Sequence, residues 1–480
     1  MISLSLAEIG RIVGGQQHDI PDPDRQVTGP VVSDSRAVRP GGLFVAFAGE
    51  RVDGHDFAAG AVEAGAVAVL AARPLGVPAI VVDDVVAALG ALARAVVEKL
   101  GTTVVALTGS AGKTSTKDLI AQLLQRHGPT VWPEGSLNNE IGLPLTALRA
   151  DATTRHLVLE MGARGIGHIR YLAELTPPRI GVVLNVGTAH LGEFGGREQI
   201  AQAKGELVES LPAAADGGVA VLNADDPYVR AMASRTAART ILFGESPEAD
   251  VRAENVRLVG LGQPAFTLHT PSGCSDVTMR LYGEHHVSNA LAAAAVAHEL
   301  GMPVDEIATA LSEAGTLSRW RMEVTERADG VTVVNDAYNA NPESMRAALR
   351  ALVTMGTAGR AQGGRTWAVL GAMAELGEVS LAEHDAVGRL VVRLNVSKLV
   401  TVGGREAAWL DMGAKNEGSW GEESVHVSDA RAAIDLLRRE LRPGDVVLVK
   451  ASRSVGLEQV AAALLDGEAG CGTEGGAASR

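Results

Sequence analysis

The chain of 480 residues has 46% apolar and 21% charged side chains and a formal net charge of −14, globular proportions over a length that suggests about three domains. That acidic balance excludes broad nucleic-acid binding, which draws on clustered Lys and Arg, so any phosphate must be held locally. Cys274 and Cys471 are the only cysteines, which excludes a disulfide framework or thiolate metal site and suits a reducing compartment.

The N-terminal stretch MISLSLAEIGRIVGG carries Glu8 within its apolar run and lacks a basic start, so it reads as a short amphipathic helix and not as a signal peptide. No apolar run approaches the ~18 residues of a membrane span, so a monomer in the cytoplasm, with no membrane insertion, is expected. Strands are predicted at residues 43–47 and 79–84, with an Ala-rich helix between them, and a helix runs from Val85 to Leu100, closed by Gly101. At Val104 the pattern changes to strand, glycine-rich turn and helix, the last in KTSTKDLIAQLLQRHG, whose apolar positions recur at helical spacing. Buried strands follow in HLVLEMG, RIGVVLNVG and GVAVLNADD. This alternation predicts a mainly parallel sheet covered by helices, with ligands beyond the carboxyl ends of its strands.

A polar stretch at residues 314–321 marks a second boundary. Beyond it VTVVNDA, TWAVLGAM, KLVTVGG and DVVLVKAS alternate with helices such as residues 342–353, while residues 403–423 read as a polar loop. The expected architecture is α/β throughout: an N-terminal α/β domain over 1–100, a central phosphate-loop domain with a mainly parallel sheet over 101–316, a Rossmann-like α/β domain over 317–465, and a disordered Gly/Ala-rich tail over 466–480.

Thr108-Gly109-Ser110-Ala111-Gly112-Lys113-Thr114 lies between strand and helix, the context a phosphate loop needs. Its glycines let backbone N–H groups turn inward, the helix N-terminus adds positive potential, Lys113 can reach the β- and γ-phosphates, and Thr114 can ligate Mg²⁺. Leu107 stands where the strict motif has its first Gly. The loop suits a kinase, an ATPase and a ligase equally.

With LEMGA (159–163), NVGTAHLGEFG (185–195) and AKGEL (203–207), the loop resembles the central domain of the muropeptide ligase family. SDSR (33–36), DGHDF (53–57), NNEIGLPLT (138–146) and NDAYNANPESM (335–345) resemble the branch of that family that adds D-alanyl-D-alanine, and the likeness runs from about residue 6 to 460. It implies an ATP-dependent ligase that phosphorylates the terminal carboxylate of UDP-N-acetylmuramoyl-tripeptide and passes the acyl group to D-alanyl-D-alanine, giving a peptidoglycan precursor. Whether the tripeptide ends in lysine or diaminopimelate stays open.

The resemblance also implies residue roles. Glu160 becomes a Mg²⁺ ligand, His190 a ligand of a second Mg²⁺, and Lys204 the bearer of a carbamate formed with CO₂, which needs a lysine of lowered pKa. By composition alone Lys204 is a solvated helix-face lysine and His190 an ordinary loop histidine. Asn289, which equally suits a helix cap, matches an adenine contact; Arg319, Asp336, Tyr338 and Asn339 match nucleotide contacts from the third domain. Ser33, Ser35 and Arg36 match the part of an N-terminal UDP-binding domain that holds the diphosphate end, and Asn138 and Asn139 a sugar-peptide contact. Ala111, His286 and Ala372 depart from the family pattern, which more often shows Asn, Asn and an acid there. A phosphate-loop kinase or ATPase, another ligase of the family, and a nucleotide-binding regulator without turnover are the rival readings.

Overall fold

The computed structural model describes residues 1–49, 52–187, 194–360, 363–418 and 420–466. His190 and the tail beyond Asp466 therefore lie outside the described residues. Among those described, no helix is long and apolar enough to cross a membrane.

The opening helix Leu6–Val13 begins with a capping box, in which Ser5 accepts from the Glu8 backbone while the Glu8 carboxylate accepts from Ser5 N–H, so Glu8 is a terminus signal within an apolar run. A five-stranded sheet follows, in which Val31–Val32, Leu43–Val45, Ala68–Ala71 and Ala79–Val81 run parallel and Gln16–His18 adds antiparallel at the edge. Helix Val85–Leu100 starts on the Asp84 side chain and ends on Gly101 at φ 61°, a left-handed cap that only glycine takes without cost. Gly90, inside this helix, lets it approach Leu175: a Cβ there would lie 2.7 Å from that side chain.

The central sheet has nine strands. Those from Thr130–Val131 to Val251–Val259 run parallel, and Gln263–Thr270 and Gly273–Thr278 extend them as an antiparallel ribbon. The sheet is mainly parallel, as expected, and the ribbon closes one edge of it, with Gly273–Thr278 largely exposed as an antiparallel edge permits. Thr103–Thr108 sits between His156–Glu160 and Ile180–Val183, so the chain goes first to one side of it and then to the other. That reversal opens a crevice at the strand's carboxyl end, where the phosphate loop lies.

The third sheet has six strands, with Thr332–Asn335, Val446–Lys450, Thr366–Leu370, Lys398–Val402 and Ser424–Val427 parallel and Glu323–Glu326 antiparallel at one edge. Residues 405–417 form a helix and not the expected loop. Its buried stripe is only Ala407, Leu410, Gly413 and Ala414, small residues that give a weak apolar signal and let it lie close to helix Ser380–Arg393: a Cβ on Gly388 would stand 2.0 Å from Leu410 O.

Candidate active site

The carboxyl ends of the central and third sheets face one cavity of about 440 Å³. On the central side, the loop between Thr103–Thr108 and helix Lys113–His127 is held open by Asn185, whose Oδ1 accepts from Ser110 N and Ala111 N at 2.9 Å each and whose Nδ2 donates to Ala111 O at 3.1 Å. Ala111 needs no side chain there, because its peptide is the part being gripped. Gly112 has φ 81°, and a Cβ on it would stand 2.6 Å from Asn289 Oδ1, so both conformation and space require glycine. Lys113 Nζ donates to Gly109 O at 2.8 Å. Burial pushes its pKa below the usual lysine range, while the Glu160 carboxylate opposes the shift.

Glu160 ends the strand His156–Glu160 and is only 1% exposed. Oε2 accepts from Thr114 Oγ1 at 2.9 Å, and Oε1 accepts from Asn138 Nδ2 at 2.7 Å and Ser136 Oγ at 3.0 Å. A buried carboxylate satisfied by neutral donors is poised to meet a cation. Among the described residues no three His, Cys, Asp or Glu side chains converge on one point. A hard cation here would take Glu160 and Thr114 and complete its shell from phosphate and water, as Mg²⁺ commonly does. The residues present therefore fit magnesium.

The third domain supplies the opposite wall. Asp336 accepts from Lys450 Nζ at 2.6 Å and from Met322 N at 3.2 Å, and Lys450 also donates to Asn339 O at 2.9 Å. Burial pushes Lys450 down in pKa, and Asp336 counters it. Asn341 reaches across to donate to Ser110 O at 3.2 Å. Arg319 is exposed, and the structure does not bring it to the cavity wall. Arg321 takes that place, donating to Thr114 Oγ1 at 3.1 Å with its guanidinium 4.2 Å from the Tyr338 ring centroid. Trp320 and Met322 on either side have φ 60° and 49°, a backbone side-chain residues rarely adopt; it turns Arg321 inward.

Of the other expected residues, Ser110, Ala111, Gly112, Lys113, Thr114, Asn138, Asn139, Glu160, Asn289, Asp336, Tyr338 and Asn339 all line the cavity. Lys204 is not in the wall; it is buried behind it, at 4% exposure, and burial together with the nearby Lys113 charge pushes its pKa well below the usual lysine range. Ser33, Ser35 and Arg36 do not line the cavity, and Arg36 is held by Asp34 through Nη2 at 2.7 Å. His286 is buried against the ring of His285, centroids 4.3 Å apart. Near Ala372 the acid of the wall is Glu375, at φ 63°. Reading the sequence missed Arg321, Lys450, Glu375 and Arg164; Lys450 falls at the carboxyl end of a recognised strand, a signal that could have found it, whereas Asn185 lies just past one of the strand ends at which the sequence already places polar site residues.

Family models match three consecutive stretches: the Mur ligase family catalytic domain over residues 30–97, the Mur ligase middle domain over 107–297, and the Mur ligase glutamate ligase domain over 320–453. A UDP-N-acetylmuramoyl-tripeptide–D-alanyl-D-alanine ligase of Mycobacterium tuberculosis is 53% identical, with 97% of this chain and 98% of that protein covered. This chain belongs to the Mur ligase family. Among solved Mur ligases, MurF from Acinetobacter baumannii superposes with a TM-score of 0.85 at 32% identity over 97% of this chain and 99% of that one. MurF from Thermotoga maritima, solved in complex with ADP, gives 0.78 at 32% identity over 92% and 98%. The Mur ligase fold accounts for the five-, nine- and six-stranded sheets.

Proposed function

We propose that this Mur ligase uses ATP to join the terminal carboxylate of UDP-N-acetylmuramoyl-tripeptide to the amine of D-alanyl-D-alanine. The observation that carries the reading is the meeting of Lys113, Thr114 and Glu160 from one domain with Arg321 from another around a single cavity. Full-length likeness to ligases named for D-alanyl-D-alanine supports the acceptor. Dependence on ATP and a UDP-linked substrate supports a cytoplasmic reaction.

A carboxylate lacks a leaving group, so its oxygen attacks the γ-phosphorus, ADP departs, and the acyl phosphate is then attacked by the acceptor amine. The tetrahedral intermediate expels phosphate as the amide forms. In this scheme Lys113 leaves the Gly109 carbonyl for phosphate oxygens, and the loop N–H groups and Arg321 spread the charge that develops on transfer. Asn289 and Tyr338 flank the nucleotide, and Asp336 with Lys450 keeps residues 338–341 against it. Magnesium, held by Glu160 and Thr114, would supply further charge neutralisation. The depressed pKa of Lys204 provides the neutral amine that carbamate formation with CO₂ requires. The first domain would hold the UDP end, with Arg36 exchanging Asp34 for a diphosphate; the pair is exposed and opens at little cost.

The decisive assay incubates the enzyme with ATP and each combination of the two substrates and reads product mass. Phosphate release only when both are present, with a product heavier by one dipeptide, is expected; release with one or neither favours a kinase or ATPase and rejects the ligase. Lys204→Ala is expected to lose activity that a small carboxylic acid partly restores, and full activity without that acid removes the carbamate.

A further inference from the structure

Beyond Glu160 the cavity wall continues through Gly162 and Ala163 to Arg164 and His168, none of which has a part in phosphate transfer. The other lysines and arginines of this wall have partners: Lys113 is on Gly109 O, Arg321 on Thr114 and Lys450 on Asp336. Arg164 has an exposed side chain, and no hydrogen bond or ion pair ties its guanidinium among the described residues. Its backbone is fixed, since Arg164 N donates to His168 Nδ1 at 3.3 Å while His168 Nε2 faces Glu140 Oε2 at 3.3 Å. Glu140 is thereby occupied by the histidine, and neighbouring Arg170 by Glu209. The wall offers one uncommitted fork of donors, suited to a carboxylate.

Resting on the ligase reading, we propose that Arg164 reads the far end of the tripeptide's third residue and selects diaminopimelate over lysine. On that reading the carboxylate to be phosphorylated approaches the phosphate loop beside Thr114 and Glu160, and the side chain of the third residue branches from the carbon bearing it, which directs its end along the adjoining wall of Gly162, Ala163 and Arg164. A diaminopimelate side chain ends in an ammonium and a carboxylate; a lysine side chain ends in an ammonium alone. The guanidinium pairs with the first and repels the second.

The test measures kcat/KM with UDP-linked tripeptides carrying each residue, for the wild type and for Arg164→Ala, Arg164→Lys and Arg164→Glu. The wild type is expected to favour diaminopimelate, and Arg164→Ala to reduce the ratio roughly tenfold, the scale of one hydrogen bond to a charged group. Arg164→Lys keeps part of the preference, Arg164→Glu shifts it further towards lysine, and KM for ATP stays constant in all. Equal use of both tripeptides by the wild type, or a preference that Arg164→Ala leaves intact, overturns the proposal while the ligase reading stands. Failure to join either tripeptide to D-alanyl-D-alanine overturns the ligase reading itself.

Discussion

The joint between the first and central domains and the joint between the central and third domains are built from opposite materials. Across the first, one continuous apolar cluster takes in Leu6, Leu43 and Ile80, then Leu89 and Leu92 of helix Val85–Leu100, then Leu143, Leu157 and Ile200 of the central domain. Across the second, Leu261 and Tyr282 pack against the third domain's core, and among the described residues several polar contacts stand beside them. Lys117 and Asp118 both hold Ser318, and Asn341 and Arg321 touch the phosphate loop. Apolar burial is non-directional and lost only by exposing area to water, whereas hydrogen bonds can be exchanged one for another or for a ligand's. The second joint is therefore the one suited to opening and closing on substrates, and small-angle scattering with and without ATP checks it by a change confined to the third domain.

Breaking that polar joint at its most buried point gives the largest expected effect. Lys117 is fully buried, donates to Pro133 O and Gly135 O at 2.8 and 2.9 Å, and pairs with Asp118 at 2.8 Å. Lys117→Met strands the aspartate and is expected to cost about 3–5 kcal/mol in urea denaturation. Opening a hole in the apolar joint with Leu92→Ala is expected to cost about 3 kcal/mol, with the first two domains still unfolding together in calorimetry. Lys113→Ala is expected to lower kcat roughly 100-fold or more with little change in melting temperature. Arg321→Ala weakens the polar joint at the site itself; about a tenfold loss in kcat/KM for ATP is expected, read by initial rates.

A separate effect, away from both joints, concerns pH. His156, 2% exposed, has its pKa pushed down to about 4 by burial, with the His127 and Arg155 charges adding to the shift. Its unfolded value is near 6.5, so between these limits the unfolded chain binds the extra proton. Stability is complete above pH 6.5 and declines as pH falls towards 4, by up to about 1.4 kcal/mol per unit. Melting curves across that window should slope less in His156→Leu.

Local chemistry made much of the fold legible. Asp84 and Gly101 bracket their helix as N-cap and C-cap residues do, and the apolar runs ending at Thr108, Glu160 and Asn223 became parallel strands. The phosphate loop was readable because its glycines, lysine and threonine act within a few residues of one another. The helix 405–417 was hidden by its small buried face, and the ribbon of residues 263–278 because its pairing partner, not its own pattern, makes it an edge. Arg319 and Arg321 show the limit most sharply: two arginines flank one tryptophan, and only left-handed backbone at Trp320 and Met322 determines which reaches Thr114.

The amino-acid sequence by itself determined what depends on neighbours along the chain: alternating strands and helices, their caps, a phosphate-binding turn, and motifs sufficient to mark the family. Tertiary structure alone decided what depends on distant segments meeting, including the Asn185 clasp on Ala111, the Asp336–Lys450 pair, and the reach of Asn341 to Ser110. The reason is physical: a hydrogen bond between residues more than seventy positions apart leaves no periodic trace in either segment, because it is set by where strands and sheets come to rest.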